Sequence, residues 1–199
     1  MEGRSHLIVG LTAGVVLDGM IHLTGEPLTV AKTVPLILIA NKAAYYFSVA
    51  FGALLPDIDN ARSTLGKKFG IISKEIQHFA GHRTLFHSIL GLVLFALLGI
   101  GLEHFVAYLL SIRGLTFSAD LVSTEHLVLI GVMFGSVMHI LADALTEGGV
   151  PLLWPNPKRF GFPPDRHMRF RTGTWPEHVI VWSFVILVSI GVWQSVIPI

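Results

Sequence analysis

The sequence predicts an all-α membrane protein: a polytopic helical bundle of about five spans forming one integral-membrane domain over residues 1–199. Three observations carry that prediction. The chain is 52% hydrophobic and only 14% charged, with a mean hydropathy of +0.68, too apolar for a water-soluble domain of this length. Windows approaching the ~20 apolar residues that a helix needs to cross roughly 30 Å of hydrocarbon recur along it. Lys and Arg concentrate in alternate connections between those windows.

The windows fall at about 7–22, 34–55, 86–102 with an extension toward 110, 127–145, and 178–199. The first is short and carries Asp18 and His22 near its end. Its residues 7–17 imitate a signal-peptide core, but the flank is weakly basic and the later windows hold the chain in the bilayer in either case. The second contains Asn41 and Lys42. Of the 14 Lys and Arg, five (Arg62, Lys67, Lys68, Lys74, Arg83) lie between the second and third windows. Five more (Lys158, Arg159, Arg166, Arg169, Arg171) lie between the fourth and fifth, against Lys32 and Arg113 in the other two connections. The positive-inside rule then puts both basic connections and the N-terminus in the cytoplasm and the C-terminus outside. Basic residues beside spans set topology and meet anionic headgroups, so the bilayer and not nucleic acid is the expected partner. Oligomeric state is not legible.

With sides assigned, the ionisable residues sort themselves. His6 precedes the first window; Asp57 and Asp59 follow the second in "LLPDIDN"; His82 and His87 precede the third; His139 and Asp143 end the fourth in "HILAD"; Glu177 precedes the fifth. All fall at cytoplasmic ends, and ionisable groups at membrane depth are costly unless used. His139 and Asp143, four apart, are separated by roughly 40° around a helix and share a face. Pro56 ends the preceding helix, and Asp57 and Asp59 would point the same way on an extended backbone. Close carboxylates repel unless a cation lies between them. Imidazole and carboxylate donors without any cysteine suit zinc, manganese or ferrous iron. "DIDN" is not a calcium loop, because its sixth position is Arg62 and its twelfth Lys68.

Other polar residues have plainer readings. His22, His78, His104, His126, His167 and His178 read as interfacial or hydrogen-bonded side chains. Asp18 and His22 read as a helix pair or an outer-loop contact. "TEGGVPLLWP" is a helix cap and turn, since no Gly-Lys-Ser or Gly-Lys-Thr follows. The absence of a Gly-x-Ser-x-Gly elbow leaves serine-hydrolase chemistry without support.

"LLPDIDNARSTLG", "GHRTLFHS" and "HILADALTEGGVPLLWP", in this order, resemble the YdjM family of bacterial and archaeal inner-membrane proteins, regarded as metal-dependent hydrolases. The family is in turn distantly similar to zinc-dependent phospholipase C. The resemblance implies a location in the bacterial or archaeal cytoplasmic membrane. It also implies a primary metal set of Asp57 or Asp59, His87, His139 and Asp143, with His6 and Glu177 near a second ion, for one to three ions, zinc favoured. Phe86 stands where the family usually has threonine and Asn60 where it has histidine, positions that orient ligands.

A divalent ion at such a site acidifies a water and polarises a phosphoryl or carbonyl oxygen. The expected activity is therefore hydrolysis of a phosphoester in a membrane lipid or lipid-linked substrate. Glu177 serves as second-ion ligand or general base, His82 as a substrate-facing or ligating group, and Arg83 with Arg62 as phosphate binders. An ion transporter and a structural protein whose metal fastens helix ends are the competing classes.

Overall fold

The computed structural model describes residues 1–25, 36–80, 84–114 and 119–196. Among these are six α-helices: α1 (Gly3–Ile21), α2 (Leu36–Gly52), α3 (Thr64–Ala80), α4 (Ile89–Ile112), α5 (Ala119–Ala144) and α6 (Trp175–Val196). Short 3-10 turns occupy Leu55–Asp59, Leu85–His87 and Arg166–Met168, and no strand occurs among the described residues. The all-α expectation holds. By length and composition α1, α4 and the His126–Ala144 part of α5 can cross a membrane, while α2 and Trp175–Ile190 of α6 are apolar but shorter.

Each predicted window is a helix, with shifted ends. α1 begins at Gly3, so His6 lies inside it instead of ahead of it. The third window starts later than residue 86, because the Ser88 hydroxyl accepts the Gly91 N–H at 3.1 Å and caps α4 at Ile89. That leaves Leu85–His87 as a separate turn. α3 lies within the basic connection and bends at Gly70, whose φ of +40° glycine adopts without strain.

The centre of the bundle is the α2–α5 pair, with α1 laid across it. Apolar helices gain nothing from leaving lipid for one another, so association rests on close packing and hydrogen bonds. Small residues supply the closeness. A Cβ on Gly135 would stand 2.2 Å from the Val49 carbonyl oxygen, one on Gly52 2.1 Å from that of Val132, and one on Gly131 2.8 Å from that of Tyr45. Ser136 Oγ donates to the Gly52 carbonyl at 3.1 Å. Gly10 and Gly14 bring α1 onto Ala53 and Val49. Tyr45, Val49 and Ala53 are fully buried in consequence, whereas α4 leaves Leu97, Leu98, Leu102 and Phe105 exposed, a surface suited to acyl chains.

The far end of α1 holds a separate polar knot. Asp18 does not pair with His22, which is exposed and ends α1 at φ +49°. Its carboxylate instead accepts from the Thr24 N–H and hydroxyl at 2.8 Å, the Tyr46 hydroxyl at 2.8 Å and Lys42 Nζ at 3.2 Å. Of the two readings the structure has the contact with the loop that follows α1, and Lys42 is tolerated in an apolar helix because Asp18 neutralises it. At the opposite end the start of α4 meets the connection from α5 to α6: the Ile89 N–H donates to the Leu152 carbonyl at 3.0 Å.

Candidate metal centre

Five segments distant in sequence deliver buried polar side chains to this second end. α1 brings His6, the turn after α2 brings Asp57 and Asp59, the turn before α4 brings His87, and the last turns of α5 bring His139 and Asp143. α6 brings Glu177 at its N-terminus. His6, Asp59, His87, His139, Asp143 and Glu177 are all at most 1% exposed, and Asp57 is the most open at 9%.

Two donor groups form: His6, His139 and Asp143, and Asp57, His87 and His139, with the atoms of each group within 4.8 Å of one another. His139 belongs to both. Its Nδ1 donates to the Ala53 carbonyl at 2.7 Å, which leaves Nε2 as a lone pair pointing inward. That Nε2 lies 3.3 Å from His87 Nε2. With metal–nitrogen bonds of about 2.0–2.1 Å, two imidazoles at tetrahedral angles stand roughly 3.3 Å apart. Asp57 Oδ1 is 3.7 Å from His87 Nε2 and 3.8 Å from His139 Nε2, and Asp143 Oδ2 is 3.7 Å from His87 Nε2.

The His6 group shares His139 with the other. His6 stacks on His139 with ring centroids 3.6 Å apart, and its Nε2 reaches Asp143 Oδ1 at 3.3 Å. His6 Nδ1 is buried without a hydrogen-bond partner, a costly arrangement for a polar atom that a cation would relieve. The α-amino group of Met1 also donates to Asp143 Oδ1, so positive charge is already accommodated at this carboxylate. The residues present therefore fit a divalent ion on nitrogen and oxygen donors.

Two sequence expectations change here. Asp57 and Asp59 do not converge, because the backbone between them is a 3-10 turn and not extended. They flank one ring instead, Asp57 at His87 Nε2 and Asp59 at His87 Nδ1, the latter at 3.4 Å. Asp59 thus orients an imidazole from behind. Glu177 lies outside both donor groups. Its Oε1 accepts the Glu2 N–H at 2.8 Å, its Oε2 accepts the Gly173 N–H at 2.9 Å, and the Ser5 hydroxyl also donates to it. It ties the start of α1 to the start of α6. His82 and Arg83 lie outside the described residues, and Arg62 is exposed. The Ala53 carbonyl and the Met1 amine were not anticipated, since backbone groups carry no side-chain signature.

Burial by itself would raise Asp57, but its hydrogen bond with His87 and the neighbouring imidazoles His139 and His6 hold the carboxyl well below the usual range. Burial would likewise lower His87, but hydrogen bonds with Asp57 and Asp59, and the charges of Asp59 and Asp143, push it up to about 9. A proton on His87 thus fills the place of a cation when no metal is bound. Its contribution to folding is fully present below about 6.5, the unfolded value, and is lost as pH rises through about 9. Metal binding runs the opposite way, because a ligating imidazole must be neutral. Calorimetry at neutral pH is expected to show about one proton released per ion bound at this ring. Affinity is expected to rise about tenfold per pH unit toward pH 9. A pH-independent affinity would place His87 outside the metal's ligands.

Comparison with known proteins extends these observations. The model of the family described as YdjM inner membrane protein matches residues 1–197. Over 116 residues the chain is 42% identical to the inner membrane protein YdjM of Escherichia coli K12, covering 58% of this chain and 52% of that one. The values for the protein of the same name from Shigella flexneri are the same. It is 29% identical over 154 residues to the uncharacterised protein YvsG of Bacillus subtilis, 73% of this chain and 81% of that one. The chain spans about half the length of the first two relatives. No solved structure matches it.

Proposed function

Because the chain belongs to the YdjM family of inner membrane proteins, we propose, as the activity performed from that membrane, metal-dependent hydrolysis of a phosphoester in a lipid or lipid-linked substrate. The observation that carries this reading is the pair of Nε2 atoms of His87 and His139, 3.3 Å apart, with Asp57 and Asp143 beside them. Asp57, His87, His139 and Asp143 are the primary ligands and His6 borders a second position. The donor set favours zinc, with manganese or ferrous iron as alternatives and one to three ions accommodated. When bound, the ion supplies an acidified water and polarises the phosphoryl oxygen.

The chain's own residues do the positioning. Asp59 and the Ala53 carbonyl hold the two rings with their Nε2 atoms inward. Glu177 fixes the helix ends that carry His6, in place of the general-base role its position in the sequence suggested. His82 and Arg83, just ahead of the His87 turn, are the groups to meet the substrate phosphate, Arg83 by paired charge-assisted hydrogen bonds. A groove of about 580 Å³ supports a lipid substrate: it begins at Leu55, two residues before Asp57, and continues along Phe51, Leu98, Leu102 and Val132. An acyl chain lying there would present its headgroup at the centre. The positive-inside rule puts this end on the cytoplasmic side.

Ion transport is the weaker reading. Between His6 and Asp18 the path along α1 is occupied by Gly10 and Gly14 packed on Ala53 and Val49, so apolar contact separates the two polar ends. The test is cleavage of phospholipids and lipid-linked phosphates by purified protein in detergent and in bilayers. Activity is expected to vanish on chelation, return with zinc, and fall further than metal content in His82→Ala. No metal-dependent cleavage across the screen, together with metal-dependent ion flux in proteoliposomes, would replace the hydrolase with a transporter.

A further inference from the structure

The connection from α5 to α6 contains a cavity, lined by charged side chains, that the metal centre does not use. It measures about 450 Å³ and is lined by Glu147, Gly148, Arg159, Arg166 and Arg169. We infer that this cavity is a binding site for a phosphate group, seated by the three guanidinium groups at the membrane surface.

The cavity is built by the backbone that follows Asp143. The Glu147 N–H donates to the Phe170 carbonyl at 3.0 Å, and Val150 and Phe160 exchange both backbone hydrogen bonds at 2.8 Å. These pairings fold the connection back on itself and bring residues 147–149 against 159–170. Arg169 is fixed in this fold: its Nε donates to the Pro163 carbonyl and its Nη2 to the Pro164 carbonyl, each at 2.7 Å. The guanidinium occupies the space that a side chain on Gly161 would need, since a Cβ there would stand 2.1 Å from Arg169 Nη1. Arg159 Nη1 is held by the Gly148 and Gly149 carbonyls at 3.3 and 3.4 Å. None of the three guanidiniums forms a salt bridge among the described residues, and Glu147 is the one acid on the lining. Two guanidiniums held in place, Arg159 and Arg169, with the exposed Arg166 beside them, can recognise a phosphate through several charge-assisted hydrogen bonds.

The surroundings point to a phosphate carried by lipid. The same connection and the first residue of α6 expose Leu153, Phe162, Met168 and Trp175, apolar side chains suited to the boundary between headgroups and acyl chains. Basic groups at that depth meet anionic headgroups. This inference does not depend on the hydrolase reading, since no member of either donor group lines the cavity.

The experiment measures thermal stability of the full chain with two probes: inorganic phosphate in detergent, and nanodiscs of phosphatidylcholine alone or mixed with phosphatidylglycerol. Arg166→Gln is the principal variant, because its side chain is exposed and has no hydrogen bond to lose among the described residues. Stabilisation by phosphatidylglycerol is expected, with apparent affinity about tenfold weaker in Arg166→Gln, the loss of one charge-assisted bond, and abolished in Arg159→Gln/Arg166→Gln. Arg171→Gln, equally basic and exposed but off the cavity lining, is expected to keep the wild-type response. The same pattern with inorganic phosphate alone would uphold the site and assign it to a soluble phosphate. No stabilisation by either probe, an unchanged response in the double variant, or an equal loss in Arg171→Gln would overturn it.

Discussion

Purified His139→Ala protein is expected to carry less than about a tenth of the wild-type metal and, on the proposed hydrolase reading, to lose phosphoester cleavage by at least a hundredfold, since removing even a supporting group costs about 10–100-fold at such sites. His139 is the one side chain shared by both donor groups, so its removal thins each of them at once. Asp143→Ala removes one primary ligand, the one that also serves the His6 group, and leaves Asp57, His87 and His139 together. It should therefore release less metal than His139→Ala, and the order of the two variants tests the shared-ligand geometry. Asp18→Asn, in the polar knot at the far end of α1, should leave metal content intact. Elemental analysis of the purified proteins reads all three. Wild-type metal in both His139→Ala and Asp143→Ala would reduce the pair to helix-end residues held by hydrogen bonds.

Gly135→Leu is expected to destabilise the bundle by at least about 3 kcal/mol, the upper end of ordinary overpacking. The reason is what its Cβ meets. It would stand 2.2 Å from the Val49 carbonyl oxygen and 2.6 Å from the Ala53 nitrogen, and backbone of a packed helix cannot turn aside as a side-chain tip can. α2 and α5 must separate. His139 lies one turn beyond Gly135 and bonds to the Ala53 carbonyl at 2.7 Å, so separation also disorients the shared imidazole and metal should be lost along with stability. Gly101→Leu on α4 is the matched control, because nothing lies within 4 Å of the Cβ it would gain. Melting and metal content in detergent should drop together for Gly135→Leu and stay near wild type for Gly101→Leu. Equal tolerance of both substitutions would show that close α2–α5 contact is not what holds the bundle.

Much of this architecture was legible from spacing and charge. All five apolar windows are helices, because the length of hydrocarbon to be crossed and the cost of bare backbone in lipid leave few alternatives. The convergence of His6, Asp57, His87, His139 and Asp143 was legible for a similar reason: costly polar residues at alternate span ends, sorted by topology, must arrive at one face. Even the packing of α2 on α5 had a signal, in "GVMFG" at 131–135, whose glycines four apart mark a close helix face.

What spacing did not decide was the division of labour inside the cluster. Asp57 and Asp59 have the same side chain two residues apart, yet one joins a donor group and the other stands behind His87, because the 3-10 turn directs them to opposite sides of the ring. Glu177 looked like a ligand by position, but the backbone N–H groups of Glu2 and Gly173 reach its oxygens first. The Ala53 carbonyl, which sets which nitrogen of His139 faces the centre, is invisible in sequence because every residue has one. Composition and periodicity therefore determined that the chain is a helical membrane protein and which residues gather at one end. Only the tertiary structure decided which atom of each residue faces the centre, since that depends on turn geometry and hydrogen-bond competition within a few ångströms, where one-dimensional spacing carries no information.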